Sequence, residues 1–210
     1  TLIDRSFSEF LHLRKRPKHI QVPIAAACAA AAPAPPEASF DAARRQVTAG
    51  PACGDVAQLL KAVKRPVFVF GGGAAQLPEG DVALRVAEKS GAAVFTTYAG
   101  RGIVPPDYPL LFGSWLARPD SHAVISSADL VIAVGTELAE VDLWRAKLAE
   151  DVTLVRVDTD ASVLADSHNA DVRINADAAD FLNALLSAMT DNHGASGWSA
   201  DEVAATRRRW

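Results

Sequence analysis

The sequence predicts an α/β fold built on a parallel sheet of five or six strands, with helices on both faces. The first observation is the apolar run Val67–Phe70, which suits a strand that is buried on both faces. The second is the end of this run, where Gly71, Gly72 and Gly73 give the backbone the freedom to turn sharply. The third is the alternation of strand-like and helix-like segments that continues to Met189, which is typical of parallel sheets with right-handed crossovers.

Each predicted strand is short, apolar and rich in β-branched or aromatic residues. The predicted strands are Val67–Phe70, Ala93–Thr97, Leu130–Val134, Thr153–Asp158 and Asp171–Asn175, with the short apolar piece Leu110–Gly113 beside them. Each predicted helix has apolar residues at helical spacing. The predicted helices are Val56–Val63, Asp81–Ser90, Pro119–Ser127, Val141–Ala149, Ser162–His168 and Ala178–Met189. These elements predict one domain over residues 51–190.

The segments on either side of this domain have a different composition. Leu2–Leu13 has apolar residues near helical spacing, which predicts a helix, and His19–Ile24 alternates like a short strand. Residues 25–50 begin with a low-complexity Ala/Pro stretch and are interpreted as an extended linker. Residues 191–210 are interpreted as a linker into a following domain, with a further helix starting at Asp201.

Composition excludes several classes of partner. The net charge is −4, so the chain has no basic excess of the kind that a nucleic-acid-binding surface needs. No uncharged stretch reaches membrane-spanning length, and we expect no membrane partner. The two cysteines, Cys28 and Cys53, have neither metal-ligand spacing nor a disulfide framework, which favours a reducing, cytoplasmic setting.

Ligands of parallel sheets bind beyond the carboxyl ends of the strands. The loops predicted there are Gly71–Gly73, Thr97–Gly102, Gly135–Glu137 and Asp158–Asp160. The glycine turn after the first strand either holds phosphate groups or allows tight strand-to-helix packing, and both interpretations stay open. A complete dinucleotide fingerprint is absent, because Gln76 stands where the third glycine belongs. Asp158 and Asp160 either form a turn and cap the helix from Ser162 or hold a ribose or adenine group. No motif assigns a catalytic or metal-ligating residue.

Five short motifs occur in a fixed order along the chain. They are Arg16–Ile24, Arg65–Gly73, Val94–Gly102, Ala128–Thr136 and Leu154–Asp160. In this order they resemble the central, Rossmann-like domain of thiamine-diphosphate-dependent enzymes of the acetolactate synthase and 2-oxoacid decarboxylase type. The resemblance implies that residues 1–24 are the tail of the preceding pyrimidine-binding domain.

The resemblance also implies an activity for the parent enzyme. Such an enzyme uses thiamine diphosphate and Mg²⁺ to act on a 2-oxoacid, as a lyase or as a carboligating transferase, and is expected to be a homo-oligomer. The family's Gly-Asp-Gly motif, which holds the cofactor and its metal, is not found in this sequence. We therefore expect the chain to be catalytically incomplete and to bind neither thiamine diphosphate nor Mg²⁺. Its expected partners are the missing catalytic domains of the same chain.

Some relatives carry FAD in the central domain, and others carry ADP or nothing. The positions that match their nucleotide site are Gly71, Gly72, Gly73, Thr97, Tyr98, Gly113, Ser114, Gly135 and Asp158. FAD-binding relatives have an arginine where this chain has Glu137, and a carboxylate at that place would repel a pyrophosphate. We expect FAD to bind weakly or not at all.

Two other functions are compatible with the residues alone. One is a self-standing flavin- or adenine-nucleotide-binding α/β protein, which a yellow purified protein would favour. The other is an interaction module without a ligand, which dialysis against adenine nucleotides would distinguish from the first.

Overall fold

The computed structural model describes residues 2–12, 16–30, 50, 52–77, 81–166, 168–190 and 196–210. It divides into two compact units, Thr1–Arg45 and Gln46–Trp210. In the first unit, helix α1 spans Leu2–His12, and the Arg5 side chain donates to the Glu9 carboxylate one turn later at 3.1 Å. Three large apolar side chains of α1 are exposed: Leu2, Ile3 and Phe7.

The strand predicted at His19–Ile24 is wrong. Residues 16–23 have no regular structure, and helix α2 spans Ile24–Ala27. A strand needs a neighbour for its backbone groups, and none of the described residues pairs with this segment. Alanine favours a helix, and Pro23 directly before it has a φ of −61°, so the start of the predicted extended linker is helical instead. The rest of that linker, residues 31–49, lies outside the described residues.

The second unit contains a sheet of six strands, and every pairing between neighbours is parallel. The strands are β1 Pro66–Phe70, β2 Ala93–Thr96, β3 Leu111–Gly113, β4 Leu130–Val134, β5 Thr153–Asp158 and β6 Val172–Asn175. Their order is β3-β2-β1-β4-β5-β6, so the predicted parallel α/β sheet is confirmed. The order reverses between β1 and β4, where Val67 lies opposite Ala93 on one side and Val131 on the other. This is the switch point at which such sheets usually bind ligands.

Helices cover both faces of the sheet because successive strand residues point to opposite faces and both sets are apolar. The helices of this unit are α3 Ala52–Ala62, α4 Val82–Ser90, α5 Ser121–Ser126, α6 Glu140–Leu143, α7 Ala161–Leu164, α8 Ala178–Ala188 and α9 Ala200–Arg209. Helices α3, α4 and α8 pack on the face that carries Phe68 and Phe70. Helices α5, α6 and α9 pack on the face that carries Val69 and Phe95. In the part of the chain that is described, no helix is long and apolar enough to cross a bilayer.

The helix predicted over Val141–Ala149 is wrong beyond Leu143. Trp144 has a φ of 52°, which ends the helix. The Arg145 guanidinium then donates to the carbonyls of Leu116 at 2.7 Å and Leu143 at 3.2 Å, and so holds the chain in a loop. The helix predicted over Ser162–His168 is also shorter, since α7 ends at Leu164.

Residues 196–210 pack on the sheet, although the sequence assigns them to a linker. Trp198 is 4% exposed, and its indole N–H donates to the Pro66 carbonyl at 2.9 Å. The Arg65 guanidinium lies 3.7 Å above the Trp198 ring, and Phe112 meets the ring edge to face. This segment therefore belongs to the core of the second unit, and its continuation into a following domain stays a prediction.

Candidate functional site

The two glycine turns at the switch point are in contact through their backbones. Gly71 follows β1, and Gly135 follows β4 with a φ of 62°. A Cβ atom on Gly71 would lie 2.3 Å from the Gly135 carbonyl oxygen and 2.5 Å from the Thr136 Cβ atom. A side chain at Gly71 would therefore clash with the neighbouring turn, and the positive φ of Gly135 also favours glycine there.

Two N–H groups of the first turn donate hydrogen bonds to the end of β4 and the turn that follows it. The Gly71 N–H donates to the Val134 carbonyl at 2.9 Å, and the Gly73 N–H donates to the Gly135 carbonyl at 3.0 Å. A short 3-10 turn, Ala74–Gln76, follows, and α4 begins only at Val82. The helix after the turn therefore begins close to Asp81, where the sequence predicts it. Packing accounts for Gly71 and Gly73, and a phosphate-binding role of this turn stays a prediction.

Asp160 is the cap of helix α7. Its carboxylate accepts from the Ser162 N–H at 2.9 Å and from the Ser162 hydroxyl at 2.6 Å. Asp158 is buried at the end of β5, and its carboxylate accepts from the Asp160 N–H at 2.9 Å. The turn-and-cap alternative is therefore seen in the structure, and a ribose-binding role of Asp158 stays a prediction.

Arg156 connects β5 to the loop after β4, a role that the sequence analysis missed. Its side chain is 1% exposed, and the guanidinium donates to the Asp166 carboxylate at 2.5 Å and to the Thr136 carbonyl at 3.1 Å. The available signal was a cation between two valines in the middle of a predicted buried strand. This pairing fixes the loop that carries Gly135 against the neighbouring strand.

The turn after β2 is held from two sides. The buried Thr97 donates its N–H to the Phe70 carbonyl at 2.9 Å, which links this turn to the end of β1. The Tyr98 N–H lies 3.5 Å from the Asp142 carboxylate on α6. Burial raises the pKa of the Asp142 carboxyl, and the contact with Tyr98 opposes that rise. Thr97 and Tyr98 are thus anchored in a fixed turn.

An open cleft of about 730 Å³ lies at the carboxyl ends of β2 and β3. It is lined by Thr96, Tyr98, Arg101, Gly102, Val104, Pro106, Leu111, Gly113, Ser114, Trp115, Ala117 and Arg118. Three predicted nucleotide positions, Tyr98, Gly113 and Ser114, are among these residues. The other predicted positions, which are Gly71, Gly72, Gly73, Thr97, Gly135 and Asp158, are not part of this lining. The structure therefore divides the predicted site between the packed switch point and the open cleft.

Polar side chains form a chain along one wall of the cleft. The Thr96 and Ser114 hydroxyls lie 2.8 Å apart, and the Arg101 Nε donates to the Ser114 hydroxyl at 3.2 Å. The Arg101 guanidinium lies 5.5 Å from the centre of the Tyr98 ring. The sequence analysis missed Arg101 and the second arginine of the cleft, Arg118. The available signal was the Gly-Arg-Gly sequence in the turn after β2.

The described residues do not provide a metal site. No group of three or more His, Cys, Asp or Glu side chains among them is arranged to hold a metal ion.

Residues 53–185 match the family model described as the central domain of thiamine pyrophosphate enzymes. The chain is 37% identical over 209 residues to a protein named probable 2-ketoarginine decarboxylase from Pseudomonas aeruginosa. That alignment covers 98% of this chain and 36% of the relative. The chain is also 28% identical over 136 residues to a probable acetolactate synthase large subunit from Methanocaldococcus jannaschii, covering 63% of this chain and 23% of that protein.

Solved structures share the fold. A putative thiamin diphosphate-dependent enzyme from Mycobacterium smegmatis superposes with a TM-score of 0.57 at 23% identity, over 67% of this chain and 28% of that one. Benzoylformate decarboxylase from Polynucleobacter necessarius gives a TM-score of 0.57 at 21% identity, with the same coverage. At such identities the likeness shows the fold alone. The chain spans about a third or less of the length of these proteins.

Proposed function

The chain belongs to the thiamine pyrophosphate enzymes, whose central domain it carries, and on this premise we propose that it is the scaffold domain of a 2-oxoacid decarboxylase or carboligase. The observation that carries the proposal is the 37% identity over 209 residues, which reaches well beyond the matched domain at 53–185 on both sides. Similarity of this extent supports a common domain organisation with the decarboxylase. The self-standing nucleotide-binding protein is not favoured, because the relatives are larger enzymes.

The geometry supports a scaffold role for this domain. The sheet has an apolar core on each face, and Gly71 and Gly135 are packed together where a doubly wound sheet would open to a ligand. Among the described residues, no group of three or more His, Cys, Asp or Glu side chains is arranged to hold a metal ion. In our proposal thiamine diphosphate and Mg²⁺ are held by other domains of the parent enzyme, where the cofactor supplies the stabilisation of the carbanion.

The substrate in our proposal is a 2-oxoacid, and 2-ketoarginine is the first one to test. The name of the 37% identical relative supports this choice. We further propose that the parent enzyme is a cytoplasmic homo-oligomer. FAD is not part of the proposal, because Glu137 places a negative charge near the glycine turns.

The test is a decarboxylation assay on the full-length parent protein with thiamine diphosphate and Mg²⁺. Carbon dioxide release and formation of carboligation products are measured with 2-ketoarginine, pyruvate and benzoylformate, and with each cofactor left out in turn. We expect turnover of at least one 2-oxoacid that stops without thiamine diphosphate. Absence of cofactor-dependent turnover and of carboligation with every substrate would overturn the proposal.

The isolated 210-residue chain is the matched control. We expect calorimetry to detect no binding of thiamine diphosphate with Mg²⁺ to this chain. Binding in the micromolar range would contradict the scaffold role, because it would place cofactor ligands within these residues.

A further inference from the structure

Helix α6 presents two large apolar side chains to solvent. Val141 is 61% exposed, and Trp144, directly after the helix, is 74% exposed. The Trp144 N–H donates to the Glu140 carbonyl at 2.6 Å, so both side chains belong to one helical turn. Together they form what we call the α6 surface. Among the described residues of the second unit, the other exposed large apolar side chains are Tyr98 and Trp115, which line the cleft instead.

The backbone on each side of α6 is strained. Leu138 and Trp144 both have a φ of 52°, a conformation that favours glycine and is unusual for side chains of this size. Such residues persist only where the surrounding contacts hold them, and they concentrate in ligand clamps and switch regions. The α6 surface is therefore carried by a segment that the rest of the domain keeps in place at a cost in free energy.

A closed ring of hydrogen bonds holds the first strained residue. The Leu138 N–H donates to the Thr136 hydroxyl at 3.0 Å, and the Leu138 carbonyl lies 3.1 Å from the His168 Nε2 atom. The His168 N–H donates to the Asp166 carboxylate at 2.9 Å. The Arg156 guanidinium closes the ring, because it donates to both the Asp166 carboxylate and the Thr136 carbonyl. The start of α6 is thus fixed against β5 and the loop after α7.

A second anchor holds the end of the helix. The Arg145 guanidinium donates to the carbonyls of Leu143 at 3.2 Å and Leu116 at 2.7 Å. The side chains of Leu138 and Leu143 are buried in the core on this face of the sheet. The inward side of the segment is therefore packed, and the α6 surface is held outward. A surface that is rigid before binding loses little freedom on contact, which favours affinity.

The charges beside the α6 surface are negative. The helix contains Glu140 and Asp142 and no basic residue. The two cations that follow are engaged elsewhere, since Arg145 donates to backbone carbonyls and the Lys147 ammonium pairs with the Glu150 carboxylate at 3.0 Å. Interfaces combine an apolar centre with a rim of complementary charge. A surface that covers α6 therefore needs an apolar pocket with lysine or arginine at its edge.

The extent of the relatives indicates which surface this is. The chain spans 36% of its 37% identical relative, so most of that protein lies outside the matched part. We propose that the α6 surface docks into an apolar, basic-rimmed pocket on the domains that hold thiamine diphosphate in the parent enzyme. The strained segment keeps Trp144 ready for this contact. The inference rests on the proposed function, because its partner is a domain that the parent enzyme is proposed to contain.

Photo-cross-linking in the full-length parent enzyme tests the proposal. The photoreactive amino acid p-benzoylphenylalanine replaces Trp144, and mass spectrometry identifies the peptides that are joined to it after irradiation. We expect peptides from outside the 210 residues of this chain. The same amino acid in place of the exposed Arg85 on α4 is the control for non-specific reaction. Overturning results are the absence of a cross-link, cross-links to residues 1–210 of a second copy, or the same products from both positions.

Variants of the parent enzyme measure the contact by limited proteolysis. Trp144→Ser should raise the rate at which a protease separates this domain from the others by about tenfold, and Trp144→Phe by less. Glu140→Lys should also raise this rate, because it reverses the charge at the rim, whereas Glu88→Lys on α4 should leave it unchanged. Unchanged rates for Trp144→Ser and Glu140→Lys would contradict the docking.

Decarboxylation measured on the same preparations separates this inference from the proposed function. Cross-links from position 144 to the rest of the parent, in a protein without cofactor-dependent turnover, would support the docking and remove the proposed function. Turnover that depends on thiamine diphosphate, in a protein without these cross-links, would support the proposed function and overturn the docking.

Discussion

Gly71 and Gly135 are packed backbone to backbone across the switch point of the sheet, and the space between β1 and β4 is filled by the protein itself. A Cβ atom on Gly135 would lie 2.7 Å from the Ala74 nitrogen and 2.9 Å from the Gly73 Cα atom. The N–H groups of Gly71 and Gly73 donate across this junction. The open cleft lies beside it, at the carboxyl ends of β2 and β3. A ligand at the junction would have to displace these backbone contacts first.

This packing predicts that Gly71→Ala lowers the free energy of unfolding by about 2–3 kcal/mol, because the new methyl group meets backbone atoms. Urea denaturation followed by circular dichroism measures the change. Gly54→Ala is the matched control: a Cβ atom at Gly54 meets nothing within 4 Å, and the position lies in helix α3. The free energy of unfolding of that variant should rise by up to about 1 kcal/mol. Equal unfolding midpoints for the two variants would show that the junction is looser than described.

The hydrogen bonds of the Asp129 carboxylate predict that the stability of the fold depends on pH. Its carboxylate accepts from the Lys64 N–H at 2.8 Å and the Arg65 N–H at 2.9 Å, at the entry to β1. These backbone hydrogen bonds hold the pKa of the Asp129 carboxyl below its usual range. A carboxyl with a lowered pKa in the folded state stabilises the fold above its unfolded pKa. That contribution is lost as the pH falls through the lowered value.

Replacing the carboxylate should remove this pH dependence. Asp129→Asn is expected to cost about 1 kcal/mol at neutral pH, discounted because the side chain is exposed to solvent. The difference from the wild type should shrink in urea titrations between neutral pH and about pH 3. Asp107→Asn, in an exposed loop, is the control for the loss of one negative charge. A constant difference for Asp129→Asn across this range would rule out the linkage.

The fold could be predicted from the sequence because its signals are local. The run Val67–Phe70 is buried along its whole length, as its composition indicates. The order of strand-end motifs identified the family, which the match over residues 53–185 confirms. The end of helix α6 could not be predicted in this way, since the Arg145 guanidinium that holds the following loop donates to the carbonyl of Leu116, which is distant in sequence.

The candidate site was less predictable for the same physical reason. The choice between phosphate binding and packing at Gly71 depends on Gly135, which only the folded sheet brings beside it. Arg101 and Arg118 share a cleft only because β2 and β3 are neighbours in the sheet. These contacts form only in the folded sheet, so no periodicity or spacing in the sequence indicates them.

The packing of the Trp198 side chain predicts that the segment of residues 196–210 stabilises the sheet. Trp198→Ala should lower the free energy of unfolding by about 3–5 kcal/mol, since the indole packs on Phe112 and donates to the Pro66 carbonyl. Trp198→Phe should lower the free energy of unfolding by less, because the phenyl ring keeps most of the apolar contact. Trp144→Phe is the control, with a side chain that is 74% exposed, and should change stability by less than about 0.5 kcal/mol. The measurement is urea denaturation. A Trp198→Ala variant as stable as the wild type would support the linker interpretation for this segment.

The negative charge of Glu137 predicts that the domain does not bind FAD. The residue follows the Gly135 turn directly, where FAD-binding relatives have an arginine, and its carboxylate would face a pyrophosphate of the same sign. The packed turns add a second obstacle, since Gly71 and Gly73 have already used their N–H groups. We therefore expect the wild-type chain to purify colourless and to show no change in flavin fluorescence on titration.

Glu137→Arg separates these two obstacles. Reversing the charge should raise the affinity for FAD above that of the wild type if repulsion is the larger one, with Glu88→Arg on α4 as a control for the change in net charge. Flavin fluorescence titration measures both variants. Equal flavin binding by the two variants would mean that the packing of Gly71 against Gly135 is sufficient to exclude the ligand. A yellow wild-type protein would refute the charge argument, because the nucleotide would then bind beside the Glu137 carboxylate and displace the contacts that hold the two turns together.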